Sequence, residues 1–189
     1  MSDIIYLKVI GQNKGDISEG CSSEKSVGNR WQSRHEDEIF VFSFQRAITS
    51  TVNGVNHQGI RFCKTIDKSS PLLNKAINDN EACTLDFTFY RINRWGRWER
   101  YYHIEVRGAH IREYWMHTNL AQIPQEIITV DYDYICSKHL IANTEYSELL
   151  TPENYNKLFP SAVATFSPVE KPPKKREITL TIGIFFDGT

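Results

Sequence analysis

Leu85-Asp86-Phe87-Thr88-Phe89-Tyr90-Arg91-Ile92-Asn93-Arg94-Trp95-Gly96-Arg97-Trp98-Glu99-Arg100-Tyr101-Tyr102-His103-Ile104-Glu105-Val106 holds two alternating runs separated by a turn. Leu85, Phe87 and Phe89 alternate with Asp86, Thr88 and Tyr90; Tyr102, Ile104 and Val106 oppose His103, Glu105 and Arg107. A period of two places every second side chain on one face of a strand. Between the runs, Gly96 supplies the positive φ that a tight hairpin demands. The segment therefore predicts an antiparallel hairpin with one buried face.

The same alternation recurs on both sides of it. Phe40, Phe42 and Phe44 alternate with Ile39, Val41 and Ser43, and Ile128, Val130, Tyr132 and Tyr134 alternate with Thr129, Asp131 and Asp133. About seven strands follow from this reading, which predicts a mainly β chain, a barrel or a sandwich. Helix signals are few. Ser70-Pro71-Leu72-Leu73-Asn74-Lys75-Ala76-Ile77 predicts one helix with Ser70 as N-cap and Pro71 at its first position. Thr151 to Phe159 repeats the cap-then-proline start and stops before Pro160, predicting a second helix docked outside the strands.

Beyond Pro160 the pattern changes. Residues 161–177 contain Pro168, Pro172 and Pro173 with Lys171, Lys174, Lys175 and Arg176, and read as a linker. Ile178 to Phe186 is an almost uniformly apolar strand running into Asp187-Gly188, the kind buried within a parallel sheet. A lone strand cannot satisfy its backbone, so the expectation is a second domain cut off at its start. The expected organisation is a β domain over 1–145, a helical extension over 146–160, a linker over 161–177 and a truncated first strand over 178–189.

Composition excludes several classes. The chain has 189 residues, 22 Lys+Arg against 23 Asp+Glu and 40% apolar residues. This is enough for a real core and removes any general electrostatic case for nucleic acid or a membrane surface. Cys21, Cys63, Cys83 and Cys136 lie far apart and never form a CxxC pair, which predicts reduced, mostly buried thiols. The N-terminus has no basic leader or cleavage site, so no secretory signal is expected. The longest apolar stretches, Ile39 to Phe44 and Ile182 to Phe186, are too short to span a bilayer.

No catalytic constellation emerges. Phe185-Phe186-Asp187-Gly188-Thr189 superficially resembles the aspartate loop of haloacid-dehalogenase-type phosphatases, but Phe185 stands where the nucleophilic Asp belongs. Gly20-Cys21-Ser22-Ser23-Glu24 approaches a nucleophile elbow and breaks at Glu24. His103, His110 and His117, seven apart, do not all share a strand face, and His35-Glu36-Asp37-Glu38 reads as a solvated acidic edge. No cofactor, metal or catalytic residue is expected. Arg91, Arg94, Trp95, Arg97, Trp98, Arg100, Tyr101 and Tyr102 interleave cations with aromatics as single-strand nucleic-acid binders do, but a hairpin whose Trp98 and Tyr102 cover a sheet face suits a near-neutral chain better, and no nucleic-acid partner is expected. The basic edge at Arg94 and Arg97 and the acidic stretch with Glu126, Asp131 and Asp133 suit head-to-tail contacts between protomers, the heterologous kind that closes into rings.

Taken together, Ile4 to Val9, the turn Gly11 to Gly15, Glu19-Gly20-Cys21-Ser22, Asp37 to Phe44, Phe62 to Leu73 and Ile128 to Tyr132 resemble the haemolysin-coregulated tube protein family of bacterial type VI secretion. The strongest block is Lys64 to Leu73, with Lys64, Asp67-Lys68 and Ser70-Pro71-Leu72 in the family's order. The resemblance covers roughly residues 3 to 142. It implies an antiparallel β-barrel of two packed sheets flanked by one α-helix. It also implies hexameric rings that stack into a tube, partner spike and sheath proteins, and cargo effectors carried in the pore. Such a protein waits in the bacterial cytoplasm before firing and is secreted without a signal peptide, with no insertion into a membrane. The family's ring-stacking loop would fall at Thr51, Val52, Asn53, Gly54, Val55, Asn56 and His57.

A plain tube protein would end near Ile141, whereas this chain continues. Residues 178–189 are similar to the opening strand of the α/β-hydrolase-like domains of type VI phospholipase effectors, whose catalytic serine lies well beyond such a strand. The resemblance thus implies a tube-forming carrier with a C-terminally fused effector, itself without activity. The alternatives are the N-terminal fragment of a secreted lipase or phospholipase effector, and a nucleic-acid-binding β-barrel.

Overall fold

The computed structural model describes residues 3–52, 54–119 and 123–160. The linker and terminal strand expected over 161–189 lie outside the described residues. In chain order the strands are β1 (Ile4–Gly11), β2 (Gly15–Asp16), β3 (Ile39–Gln45), β4 (Ile48–Thr51), β5 (Gly54–His57), β6 (Ile60–Thr65), β7 (Cys83–Ile92), β8 (Trp98–His117), β9 (Gln125–Asp131), β10 (Tyr134–His139) and β11 (Thr144–Leu149). The α-helices are α1 (Glu24–Val27), α2 (Ser70–Asn78) and α3 (Tyr155–Leu158).

Six strands close into a barrel in the order β8-β7-β1-β3-β6-β9 and back to β8, every pairing antiparallel. Closure depends on the length of β8. Its first half pairs with β7 through Ala109 and with β10 from Tyr102 to Arg107, and from His110 onward it pairs with β9. The bend between the halves falls at Gly108, whose φ of 62° is open to glycine and strained for other residues. One strand thus serves both sheets and leaves the barrel itself without an edge. β11 extends the sheet outward through β10.

Leu7 and Val9, Ile39 and Val41, Phe62, Leu85 and Phe87, Ile104 and Val106, Ile128 and Val130 are all buried in one cluster. In β3, where both alternating sets are apolar, Phe42 is exposed and a bulge between Val41 and Ser43 lets Phe44 pack against the core. Phe44, Phe62, Phe87 and Phe89 meet edge to face with centroids 4.9 to 5.5 Å apart, the arrangement favoured by ring quadrupoles. α2 lies against the barrel through buried Leu73 and Ala76.

Several local expectations shift. The strand predicted from Ile128 to Tyr134 divides at Tyr132-Asp133, where the Asp133 amide donates to the Arg107 carbonyl and the chain turns from β9 into β10. Ser70 is the first residue of α2 and not its cap. Asp67 Oδ1 accepts from the Ser69 amide at 2.8 Å and hydroxyl at 2.5 Å, which frees the Ser70 hydroxyl to turn inward. The second predicted helix is a 3₁₀ turn, Pro152–Asn154, followed by the single turn of α3.

Candidate functional site

The predicted contact segment Thr51 to His57 is mostly strand. β4 and β5 form a separate two-stranded sheet, pairing Ile48 with His57, Thr49 with Asn56, Ser50 with Val55 and Thr51 with Gly54. Gly54 takes a φ of 126°, and the Thr51 hydroxyl donates to its carbonyl at 3.1 Å. Asn53 lies outside the described residues. Ile48, Val52 and Val55 are exposed, an apolar surface that an isolated hairpin has no core to bury. The hairpin is seated by the Gln58 amide donating to the Ala47 carbonyl at 3.0 Å, by Arg46 Nη1 3.5 Å from Ser137 Oγ, and by Gly59. A Cβ on Gly59 would stand 2.8 Å from the Val130 carbonyl oxygen, so strand β9 passes too close for any side chain there.

Arg94 and Arg97 lie in the turn between β7 and β8. Asn93 Oδ1 accepts from the amides of Trp95 and Arg97, both at 3.0 Å, and Gly96 has the expected positive φ of 74°. The Arg94 guanidinium covers the Trp95 ring at 4.1 Å, which leaves an exposed cationic and aromatic tip. Asp131 pairs with Arg112 at 2.8 Å, and Asp133 Oδ2 accepts from Asn154 Nδ2 at 2.8 Å. Both aspartates therefore have partners within the chain, and the structure does not gather the four charged residues at one place.

Glu126 is a correction to the predicted acidic edge: it is fully buried, because the alternation of β9 turns it inward with Ile128 and Val130. There it meets Lys64, also fully buried, whose ammonium lies 2.5 Å from Glu126 Oε2, 3.0 Å from Asp67 Oδ1 and 2.8 Å from the Thr65 carbonyl. The Ser70 hydroxyl donates to Glu126 Oε2 at 2.9 Å, and the Tyr114 hydroxyl donates to Oε1 at 2.5 Å. Burial, then the carboxylate of Glu126, raises the Tyr114 phenol above its ordinary range. Every group has partners, as a buried charge requires. This network fastens the start of α2 to β6, β8 and β9. The signal for it was a lysine and a glutamate on the inward phase of two strands.

The remaining polar candidates are dispersed. His103 lies 3.4 Å from Asp86, while His35 stacks on Tyr6 at 3.8 Å and meets Glu38 Oε2 at 2.5 Å. All four cysteines are free and buried, and burial pushes the thiols of Cys21 and Cys83 up to about 12 and about 11. Among the described residues no group of three His, Cys, Asp or Glu side chains is placed to hold a metal ion. Among them also, no helix is long and apolar enough to cross a membrane.

A family model described as type VI secretion system effector, Hcp, matches residues 6–139. The uncharacterized protein YhhZ of Escherichia coli K12 is 52% identical over 159 residues, which cover 84% of this chain and 41% of that one. The chain thus spans less than half the length of that relative. The major exported protein of Pseudomonas aeruginosa PAO1 is 32% identical over 118 residues, covering 58% of this chain and 69% of that one. Among solved structures, the crystal structure of an Hcp protein is 26% identical with a TM-score of 0.75, covering 79% of this chain and 99% of that one. The secreted protein Hcp3 from Pseudomonas aeruginosa is also 26% identical, with a TM-score of 0.74 and the same coverage.

Proposed function

The chain belongs to the Hcp family of type VI secretion, and from that premise we propose that it is the tube-forming part of a longer secreted carrier. It is an Hcp-like tube protein, structural and not an enzyme; members of the family form hexameric rings and are secreted. In this reading six copies close into a ring, rings stack, and the tube is ejected with a C-terminally fused effector. Spike and sheath proteins are the partners on the secreting side, and cargo occupies the pore. The observation that carries ring stacking is the exposed β4–β5 hairpin, an apolar-tipped two-stranded sheet standing off a closed barrel. The Arg94 and Arg97 tip, exposed and cationic, is proposed as one side of the protomer–protomer contact. Asp131 and Asp133, which have intrachain partners, are proposed as the other side of that contact.

Support for a passenger comes from length. The Escherichia coli relative extends well beyond the part that this chain matches, and its additional sequence leaves room for a domain. Any hydrolase activity would belong to that remainder, so the 189-residue chain should be inactive in esterase and phospholipase assays. The deciding experiment is light scattering over a dilution series of the 21.9 kDa chain. A species of about 131 kDa, six protomers, supports the ring; a strict monomer at every concentration overturns it.

A further inference from the structure

The segment after β11 is held to the barrel by contacts out of proportion to its length. The Leu150 amide donates to the Asp133 carbonyl at 2.7 Å, and Asn154 Nδ2 donates to Asp133 Oδ2 at 2.8 Å. Arg107 Nη1 donates to the Leu158 carbonyl at 2.9 Å, and the same guanidinium covers the Phe159 ring at 4.6 Å. Phe159 in turn meets Tyr134 edge on at 4.9 Å. Leu158 lies over the bend of β8, where a Cβ on Gly108 would stand 2.9 Å from Leu158 Cδ2 and 2.6 Å from Asp133 Oδ2. The bend that closes the barrel is also the seat of this segment.

The strand preceding the segment is the vulnerable one. Among the described residues β11 pairs only with β10, its side chains are largely exposed, and Leu149 opposite Tyr134 is its C-terminal end. Tension applied beyond Pro160 would open this edge from Leu149 one pair at a time, because the pull reaches the last pair first. An anchor between the pull and the strand changes that order. Asp133, Arg107 and Phe159 make such an anchor, since they tie residues 150–159 to β8 and to the β9–β10 turn, not to β11 itself.

The geometry points to residues 150–159 as a tether clamp, which keeps a C-terminal passenger from peeling β11 away. This rests on the passenger reading above. Hydrogen exchange of the full 189-residue chain tests it, comparing the unaltered protein with an Asn154→Ala/Phe159→Ala variant and with a Leu158→Ala/Phe159→Ala variant. In the unaltered chain the amides of Leu150, Asn154 and Phe159, which donate to the carbonyls of Asp133, Thr151 and Tyr155, should be protected. In both variants they should lose that protection, and the amides of β11 should exchange about tenfold faster while those of β1 and β7 do not change. Exchange of β11 unaltered while 150–159 has come loose would overturn the clamp, as would exchange of 150–159 at free-peptide rates in the unaltered chain. Light scattering on the same samples keeps the two ideas apart, since a monomeric mass with the exchange pattern intact sinks the ring and leaves the clamp standing.

Discussion

Lys64 and Glu126, sixty-two residues apart in sequence, form a 2.5 Å ion pair with neither side chain reaching solvent. Asp67 adds a second carboxylate to the same ammonium, so the site holds one positive and two negative groups inside a β-barrel. Ser69, Ser70 and Tyr114 supply the donors that make two buried carboxylates tolerable. Removing one partner of such a pair exposes the other to the full cost of an uncompensated buried charge. Lys64→Met should therefore destabilise the fold by about 3–5 kcal/mol, read as a lowered midpoint in urea unfolding. Glu126→Gln, which keeps the shape and an oxygen acceptor, should cost less. Equal and small effects from the two would show that the network contributes little.

A second carboxylate predicts how stability depends on pH. Burial pushes the Glu81 carboxyl up, but the Lys14 ammonium and the amides of Lys14 and Asn13, both 2.8 Å from Oε1, outweigh it and hold it below the ordinary range. A depressed folded value means that the stabilisation is complete above the unfolded carboxylate pKa of about 4.3 and is lost as pH falls through the folded value. Glu81→Gln should accordingly lower Tm near neutral pH and flatten its fall below about pH 4. A variant whose acid limb superimposes on that of the parent would refute this assignment.

Gly59 is where the exposed hairpin meets the barrel. Gly59→Val places a branched side chain where even a Cβ would come within 2.8 Å of the Val130 carbonyl. Moving β6 away from β9 should cost about 1–3 kcal/mol in thermal unfolding. It should also displace the hairpin, so the proposed ring stacking should weaken while single rings survive.

The thiols should be inert in the folded chain. Burial raises all four, with Cys21 at about 12 and Cys83 at about 11, and the reactive species is the thiolate. Labelling with a thiol reagent at pH 8 should be slow in buffer and reach four groups per chain in denaturant. Rapid native labelling of Cys21 would contradict its burial.

If the arginine tip forms a ring contact, charge reversal at Arg94→Glu and Arg97→Glu should shift the mass in light scattering toward the monomer. Thermal stability should stay within about 0.5 kcal/mol of the parent, since both residues are exposed. An unchanged mass would remove these residues from the interface.

Much of the fold was legible because its strands are half-buried. A period of two identified Phe87, Ile104, Ile128 and Val130 as inward residues without reference to partners, and Gly96 marked the hairpin. The same reading missed β4 and β5, whose exposed residues carry no alternation, and it ran Ile128 to Tyr134 together because a turn at Tyr132-Asp133 leaves the pattern nearly unbroken. It placed Glu126 on an acidic edge because charge was weighed apart from phase.

The sequence by itself determined the class of fold, the inward face of the main strands and the position of α2, since each follows from local periodicity and the steric demands of proline and glycine. Its resemblance to the secretion tube proteins rests on the block from Lys64 to Leu73. Only the tertiary structure decided why that block matters, and how β8 closes the barrel. Those answers depend on Lys64 meeting Glu126 from across the chain and on Gly108 letting one strand join two sheets while Leu158 lies against it. Contacts between residues far apart in sequence arise from chain closure, which no local pattern encodes.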